Sequence, residues 1–181
     1  MQGYDYSQAG AYFVTIVTRR KLCLFGNVRD EEVQLNTLGK LMVEVWEWLG
    51  ERYPYVELDE YVVMPNHLHG IIVLTEFAES GFGPATERSA GHHHSRAAPA
   101  ARRKPLGELV GAFKTVGTGR ANLAQATAGR VIWQRNFYER VIRNERELGS
   151  IREYIVNNPL AWDSDQENPS TSKIPRRGAS S

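Results

Sequence analysis

Tyr61-Val-Val-Met-Pro-Asn-His-Leu-His-Gly-Ile-Ile-Val-Leu74 is the stretch around which the rest of the chain is organised. Its two apolar runs are short and β-branched, and they read as strands on either side of a Pro65-Asn66 turn, an antiparallel pair. On a strand His67 and His69 point to one face while Leu68 points to the other. Two imidazoles on one face, with a large apolar residue turned to the core between them, form half of a metal site. The blander reading is a pair of strand histidines that face solvent or one another. Residues elsewhere have to decide between the two.

Outward from this hairpin the pattern is that of an α+β domain. Ala11–Thr18 is rich in aromatic and β-branched residues and predicts a strand. Between about residues 34 and 52, Leu38, Leu41, Met42, Val45, Trp46 and Leu49 recur at three- and four-residue spacing, which predicts an amphipathic helix. Val56–Val63 and Leu68–Leu74 are the hairpin strands. Leu106, Leu109, Val110 and Phe113 begin a second helix, with Gly117 and Gly119 as points where it frays or kinks. Arg130–Trp133 reads as a short fourth strand, followed by a polar-aromatic connector over 134–140. Glu145 opens a last helix that Asn158-Pro159 stops. The order β–α–β–β–α–β–α predicts a ferredoxin-like or RNA-recognition-like antiparallel sheet of about four strands with helices packed against it.

The chain reads as one domain over residues 1–162, with a flexible insert at 77–104 that holds the run His92-His93-His94 and little to bury. Residues 163–181, rich in Ser, Pro and charge, read as a disordered tail. The single Cys23 excludes an internal disulfide and a cysteine metal cluster. With neither a signal peptide nor an apolar run of membrane-spanning length, a cytoplasmic protein is expected. The overall charge of +1 conceals a segregation. Residues 30–60 hold two basic against nine acidic residues, whereas 101–152 hold eleven basic against four acidic ones. A basic face beside a metal site suits a polyanion, although two solvated helix surfaces of opposite sign would look the same.

The last helix carries the second half of the site. Tyr154 and Asn158 lie four apart and share a helical face. If that face lies over the histidine strand, Asn158 can offer an amide oxygen to a metal and Tyr154 can reach a metal-bound substrate. Otherwise Tyr154 is a half-buried aromatic and Asn158 a helix end beside Pro159.

These residues are similar to those of a known family. His67-Leu68-His69 matches the histidine–hydrophobic–histidine (HUH) motif of single-tyrosine transposases, and Val63–Ile72 resembles their strand signature. Trp133–Asn144, followed by Tyr154-Ile-Val-Asn-Asn-Pro159, resembles the C-terminal half of the REP-associated tyrosine transposases. The likeness spans about residues 3 to 162 apart from the insert. It implies that His67, His69 and Asn158 hold a divalent cation, Mg²⁺ or Mn²⁺. It implies further that Tyr154 is the nucleophile that cleaves single-stranded DNA at palindromic hairpins through a 5′-phosphotyrosine. Tyr138 is the rival nucleophile, with no ligand-type residue four positions on, at Ile142. The basic stretch supplies Lys114, Arg120, Arg135, Arg140 and Arg143 as candidate backbone contacts. A homodimer, with Tyr154 acting in its own subunit or a partner's, stays open. So do two other functions: a non-catalytic single-stranded nucleic-acid-binding module, and a metal-dependent nuclease that uses water.

Overall fold

The alternation of residues 10–17 becomes a strand with two different faces. In the computed structural model, which describes residues 8–76 and 103–169, β1 (Gly10–Val17) buries Tyr12, Val14 and Ile16 on one side and directs Phe13 and Thr15 to the other. It is followed by a hairpin of β2 (Gly26–Arg29) and β3 (Glu32–Leu35), then α1 (Thr37–Arg52), β4 (Val56–Val63) and β5 (His67–Leu74). After the insert come α2 (Leu106–Ala124), β6 (Tyr138–Ile142) and α3 (Glu145–Val156). The sheet order is β4-β5-β1-β6, antiparallel throughout, so β1 sits between the histidine strand and β6. The expected α+β architecture, four strands with helices against them, is the one observed.

Helices α1 and α2 cover one face. Trp46, Met42, Leu49, Leu109 and Phe113 are fully buried there against Tyr12, Ile16, Leu68 and Ile72. Gly70 makes this contact possible, because a Cβ at that position would stand 2.5 Å from the Trp46 ring. Asn36 caps α1 by accepting from Gly39 N at 3.0 Å, a bond worth about 1 kcal/mol. The opposite face is covered by α3 through a smaller cluster of Phe13, Ile71, Ile142, Ile151 and Ile155. Asn144 caps α3 from Glu147 N, and Glu147 in turn accepts from Arg143 N, a reciprocal arrangement that fixes where the helix starts. Arg152 forks onto Asp59 of β4 with both donors, Nε at 2.8 Å and Nη2 at 2.5 Å, which ties α3 across the sheet.

Three expectations change. The fourth strand is Tyr138–Ile142, not Arg130–Trp133. Residues 130–133 only meet the sheet through a bridge from Thr18 to Trp133, and Trp133 turns inward to pack on Phe25 and Phe113. The β2–β3 hairpin was not anticipated; Asp30 and Glu31 turn it at positive φ. Helix α2 runs through Gly117 and Gly119 without a break, with Gly117 set against the Met42 sulfur. The described chain also continues past the expected domain end, through a 3₁₀ turn at Trp162–Ser164 to residue 169. The rest of the expected tail lies outside the described residues. So does the expected flexible insert, His92–His94 included, apart from Arg103 and Lys104, whose backbone N donates to the Tyr55 hydroxyl. Among the described residues no helix is long and apolar enough to cross a membrane.

Candidate metal and tyrosine centre

Strand pairing sets the histidines. Thr15 lies directly across from His69 and Val17 across from His67, so both rings stand on the face of β5 that α3 covers. His67 is fully buried and His69 nearly so, and their ring centroids lie 4.5 Å apart. Each ring is held from behind. Asn66 Oδ1 lies 2.8 Å from His67 Nδ1, and because Oδ1 can only accept, Nδ1 carries the proton and Nε2 presents a bare lone pair. Thr15 Oγ1 lies 2.8 Å from His69 Nδ1, leaving His69 Nε2 to face forward as well. Partners that fix the ring behind a ligating nitrogen are what a histidine metal site requires.

Helix α3 brings Tyr154 and Asn158 to the same place. The Tyr154 hydroxyl is 3.2 Å from His69 Nε2, and its ring meets Phe13 edge-on at 6.0 Å. Phe13 in turn stacks on His69. Asn158 is buried, and among the described residues its Oδ1 and His67 Nε2 are buried acceptors without a hydrogen-bond partner. Tyr138, more than half exposed, sits on β6 with its ring 6.3 Å from that of Phe13, and Thr15 of β1 lies between it and His69 in the strand register.

The electrostatics keep both imidazoles neutral. Burial pushes His67 below its ordinary value, opposed by the carboxylates of Asp165 and Glu167 and by the Asn158 amide, with Lys21 adding to the depression. Burial, then the neighbouring His67, holds His69 well below the usual range. Neutral imidazole is the ligand form. Burial and the Asp165 carboxylate raise the Tyr154 phenol, with a smaller push from Glu167 and an opposing one from Asn158. Tyr154 therefore rests protonated at neutral pH.

Asp165 was not singled out in the sequence. Its carboxylate lies 3.9 Å from His67 Nε2, and ligand atoms of His67, His69 and Asp165 all fall within 4.8 Å of one another. These three, or the histidines with Asn158, could hold a divalent ion, and the buried acceptors at His67 Nε2 and Asn158 Oδ1 fit such a group. Thr15 and Asn66 were likewise not singled out as site residues; their roles depend on strand register and on contacts made by the turn's side chain, which pattern alone does not reveal.

The basic candidates separate. Arg140 and Arg143 line the open groove that runs from the site past Tyr138, and Arg146, which was not anticipated, lines it too. Arg140 is paired with Glu147 at 2.5 Å. Lys114 is half-buried and donates to the carbonyls of Gln134 and Asn136, each at 2.9 Å, so it braces the loop at the groove's rim. Arg135 is exposed on that loop. Arg120 is exposed on α2, which covers the other face of the sheet.

Comparison with known proteins agrees with this geometry at the level of the fold. No protein-family model matches the chain. An uncharacterised protein of Haemophilus influenzae is 36% identical over 166 residues, which is 92% of this chain and 89% of that protein. The structure of a REP-associated tyrosine transposase bound to a REP hairpin superposes with a TM-score of 0.57 at 21% identity, covering 88% of this chain and 72% of that one. The chain belongs to the family of the Haemophilus influenzae protein, and its fold is that of a REP-associated tyrosine transposase.

Proposed function

We propose that this family member, folded as it is, is a metal-dependent single-tyrosine DNA transposase. It cleaves and rejoins single-stranded DNA at palindromic hairpins through a 5′-phosphotyrosine. One observation carries the reading: the Tyr154 hydroxyl from α3 stands 3.2 Å from His69 Nε2, beside a second buried imidazole on the same strand face. A structural pair of histidines would have no reason to meet an exposed, hydroxyl-first tyrosine.

In the proposed reaction Tyr154 Oη attacks the scissile phosphorus, the bond to the 3′-oxygen breaks, and a 5′-phosphotyrosine forms as a free 3′-hydroxyl departs. Reversal with a different 3′-hydroxyl rejoins the strands and frees the tyrosine. Asn66 and Thr15 hold the two imidazoles, and His67, His69 and Asn158 are the atoms that would bind Mg²⁺ or Mn²⁺. That ion would polarise the phosphate and offset charge on the leaving oxygen. Phe13 fixes the tyrosine ring at its edge. Tyr154 rests as a neutral phenol, and a cation on the phosphate would offset the charge that develops as it attacks. Arg140, Arg143 and Arg146 along the groove would hold the phosphates of the single-stranded flank, while the exposed Tyr138 ring offers a base a surface to stack on. Exposed Arg135 is within reach of the same path, and Arg120 would add only diffuse attraction.

The test is covalent capture. Hairpin DNA with a single-stranded flank, incubated with Mn²⁺, should give an adduct that survives a denaturing gel. Tyr154→Phe should lower its yield by about a thousandfold or more, because no second group replaces a lost nucleophile. Retention of the adduct in Tyr154→Phe with loss in Tyr138→Phe would transfer the role to Tyr138. Cleavage without any adduct would point to a nuclease that uses water.

A further inference from the structure

Beyond α3 the chain turns back over the histidines and is fastened there. Lys21 Nζ donates to Gln166 O at 2.8 Å and pairs with the Glu167 carboxylate at 3.2 Å. Asn66 Nδ2 donates to Glu167 O at 2.7 Å, and Asn168, buried, closes the turn by donating to Trp162 O. Within this segment Asp165 Oδ1 accepts from Glu167 N at 2.6 Å. That bond orients the carboxylate, and its Oδ2 faces His67 Nε2. Partners spaced by 101 and 145 residues hold the segment in place, so its position over the histidines is specific.

We propose that Asp165 is an anionic ligand of the divalent ion in this site, and that the ion and the docked 162–168 segment hold each other in place. The proposal rests on the metal centre of the function proposed above and names its charged ligand. Two neutral imidazoles and an amide oxygen bring no negative charge to a divalent cation. Hard cations such as Mg²⁺ and Mn²⁺ favour carboxylate oxygen, so the carboxylate supplies what the other donors lack. Asn66 links the two events. Its Oδ1 accepts from His67 while its Nδ2 holds the segment, so undocking removes one ligand and loosens the tether of another. Linkage of this kind is reciprocal: what the segment adds to ion affinity, the ion adds to segment docking.

The experiment uses the full chain and Mn²⁺ alone, without DNA. Binding is followed by calorimetry and electron paramagnetic resonance, and amide exchange over residues 162–168 is measured with and without the ion. Wild type should bind, and His67→Ala should not. Asp165→Asn preserves the shape and the turn to Glu167 N but removes the charge, and should weaken binding at least about tenfold. Asp165→Ala should weaken it on the order of a hundredfold. Mn²⁺ should slow exchange across 162–168 in wild type and leave it unchanged in Asp165→Ala. Wild-type affinity in both Asp165 variants, with exchange indifferent to Mn²⁺, overturns the proposal while leaving the histidine site intact. Wild-type affinity in Asp165→Ala together with faster hairpin cleavage also overturns it, and makes the segment a plug. Failure of the wild type to bind Mn²⁺, or undiminished binding by His67→Ala, refutes the metal centre itself.

Discussion

On one face of the sheet Tyr12, Val14, Ile16, Leu68 and Ile72 lie sealed beneath α1 and α2; one residue along each strand, Phe13, Thr15, His67, His69 and Ile71 face α3. The first face is almost wholly apolar and closes around Trp46. The second has five buried apolar residues and, next to them, buried polar groups that are satisfied from behind and left open in front. Burying neutral imidazoles costs free energy that their hydrogen bonds only partly return, and the surplus of apolar burial on the first face covers it. Period-two alternation lets a three-residue stretch, His67-Leu68-His69, serve both faces at once.

The sharpest way to break this comparison is to mutate neighbours on β5. Leu68→Ala should cost about 2–5 kcal/mol in urea unfolding, since the side chain is fully buried among well-packed partners. It should still cleave hairpin DNA while folded. His69→Ala should do the reverse: cleavage lost, with stability changed by roughly 1 kcal/mol, the size of the Thr15 hydrogen bond. Equal losses of stability for the two would mean that the faces are not divided as described.

Gly70→Ala comes next. The new methyl would press on the Trp46 ring from the strand that carries the histidines, so overpacking of about 1–3 kcal/mol is expected in the same assay. Because the strain arises on the sealed face, Mn²⁺ affinity should fall far less than stability does. A variant of wild-type stability that no longer binds Mn²⁺ would show the faces to be mechanically joined.

The smallest effect concerns the Asp59–Arg152 fork that draws α3 onto β4. It is partly solvent-exposed, so Asp59→Asn should cost no more than about 1 kcal/mol at neutral pH. The hydrogen bonds from Arg152 hold the Asp59 carboxyl below its ordinary value of about 3.9. A carboxylate with a lowered folded pKa stabilises above its unfolded value, and that contribution disappears as pH falls through the folded one. Thermal melts of wild type and Asp59→Asn should therefore differ at pH 7, begin to converge below about pH 4 and meet only below the lowered folded value. A gap that persists in acid would mean that the residue acts through packing.

Local periodicity made half the site readable. His67 and His69 share a face because strands repeat every two residues, and Tyr154 and Asn158 share one because helices repeat near four; the fold then sets the two faces together. Register and long-range anchoring made the rest unreadable. Asp165 sits in a Ser-Asp-Gln-Glu stretch with no apolar period, and Lys21 and Asn66, far away in sequence, help give it a position. Strand β6 is an edge strand whose Tyr138 and Arg140 look outward, so it reads as a polar connector. Trp133, with the apolar Val131 and Ile132 just before it, looks like strand and is instead a plug in the core. Lys114 shows a further limit, because a lysine on the polar side of a helix reads the same whether it meets a phosphate or its own chain's carbonyls.

The central place of β1 has a consequence in time. Its partners on either side, β5 and β6, come from opposite halves of the chain, and the site's own contacts are long-range too: 54 residues from Thr15 to His69, 85 from His69 to Tyr154. Contacts of such separation close late, because loop closure must be overcome before they contribute. During synthesis the histidine hairpin is complete long before α3 exists to bring the tyrosine over it. The proposed strand-breaking chemistry thus comes into being only once α3 has packed over the histidine strand. Half-made or partly unfolded chains carry its components without the means to cut.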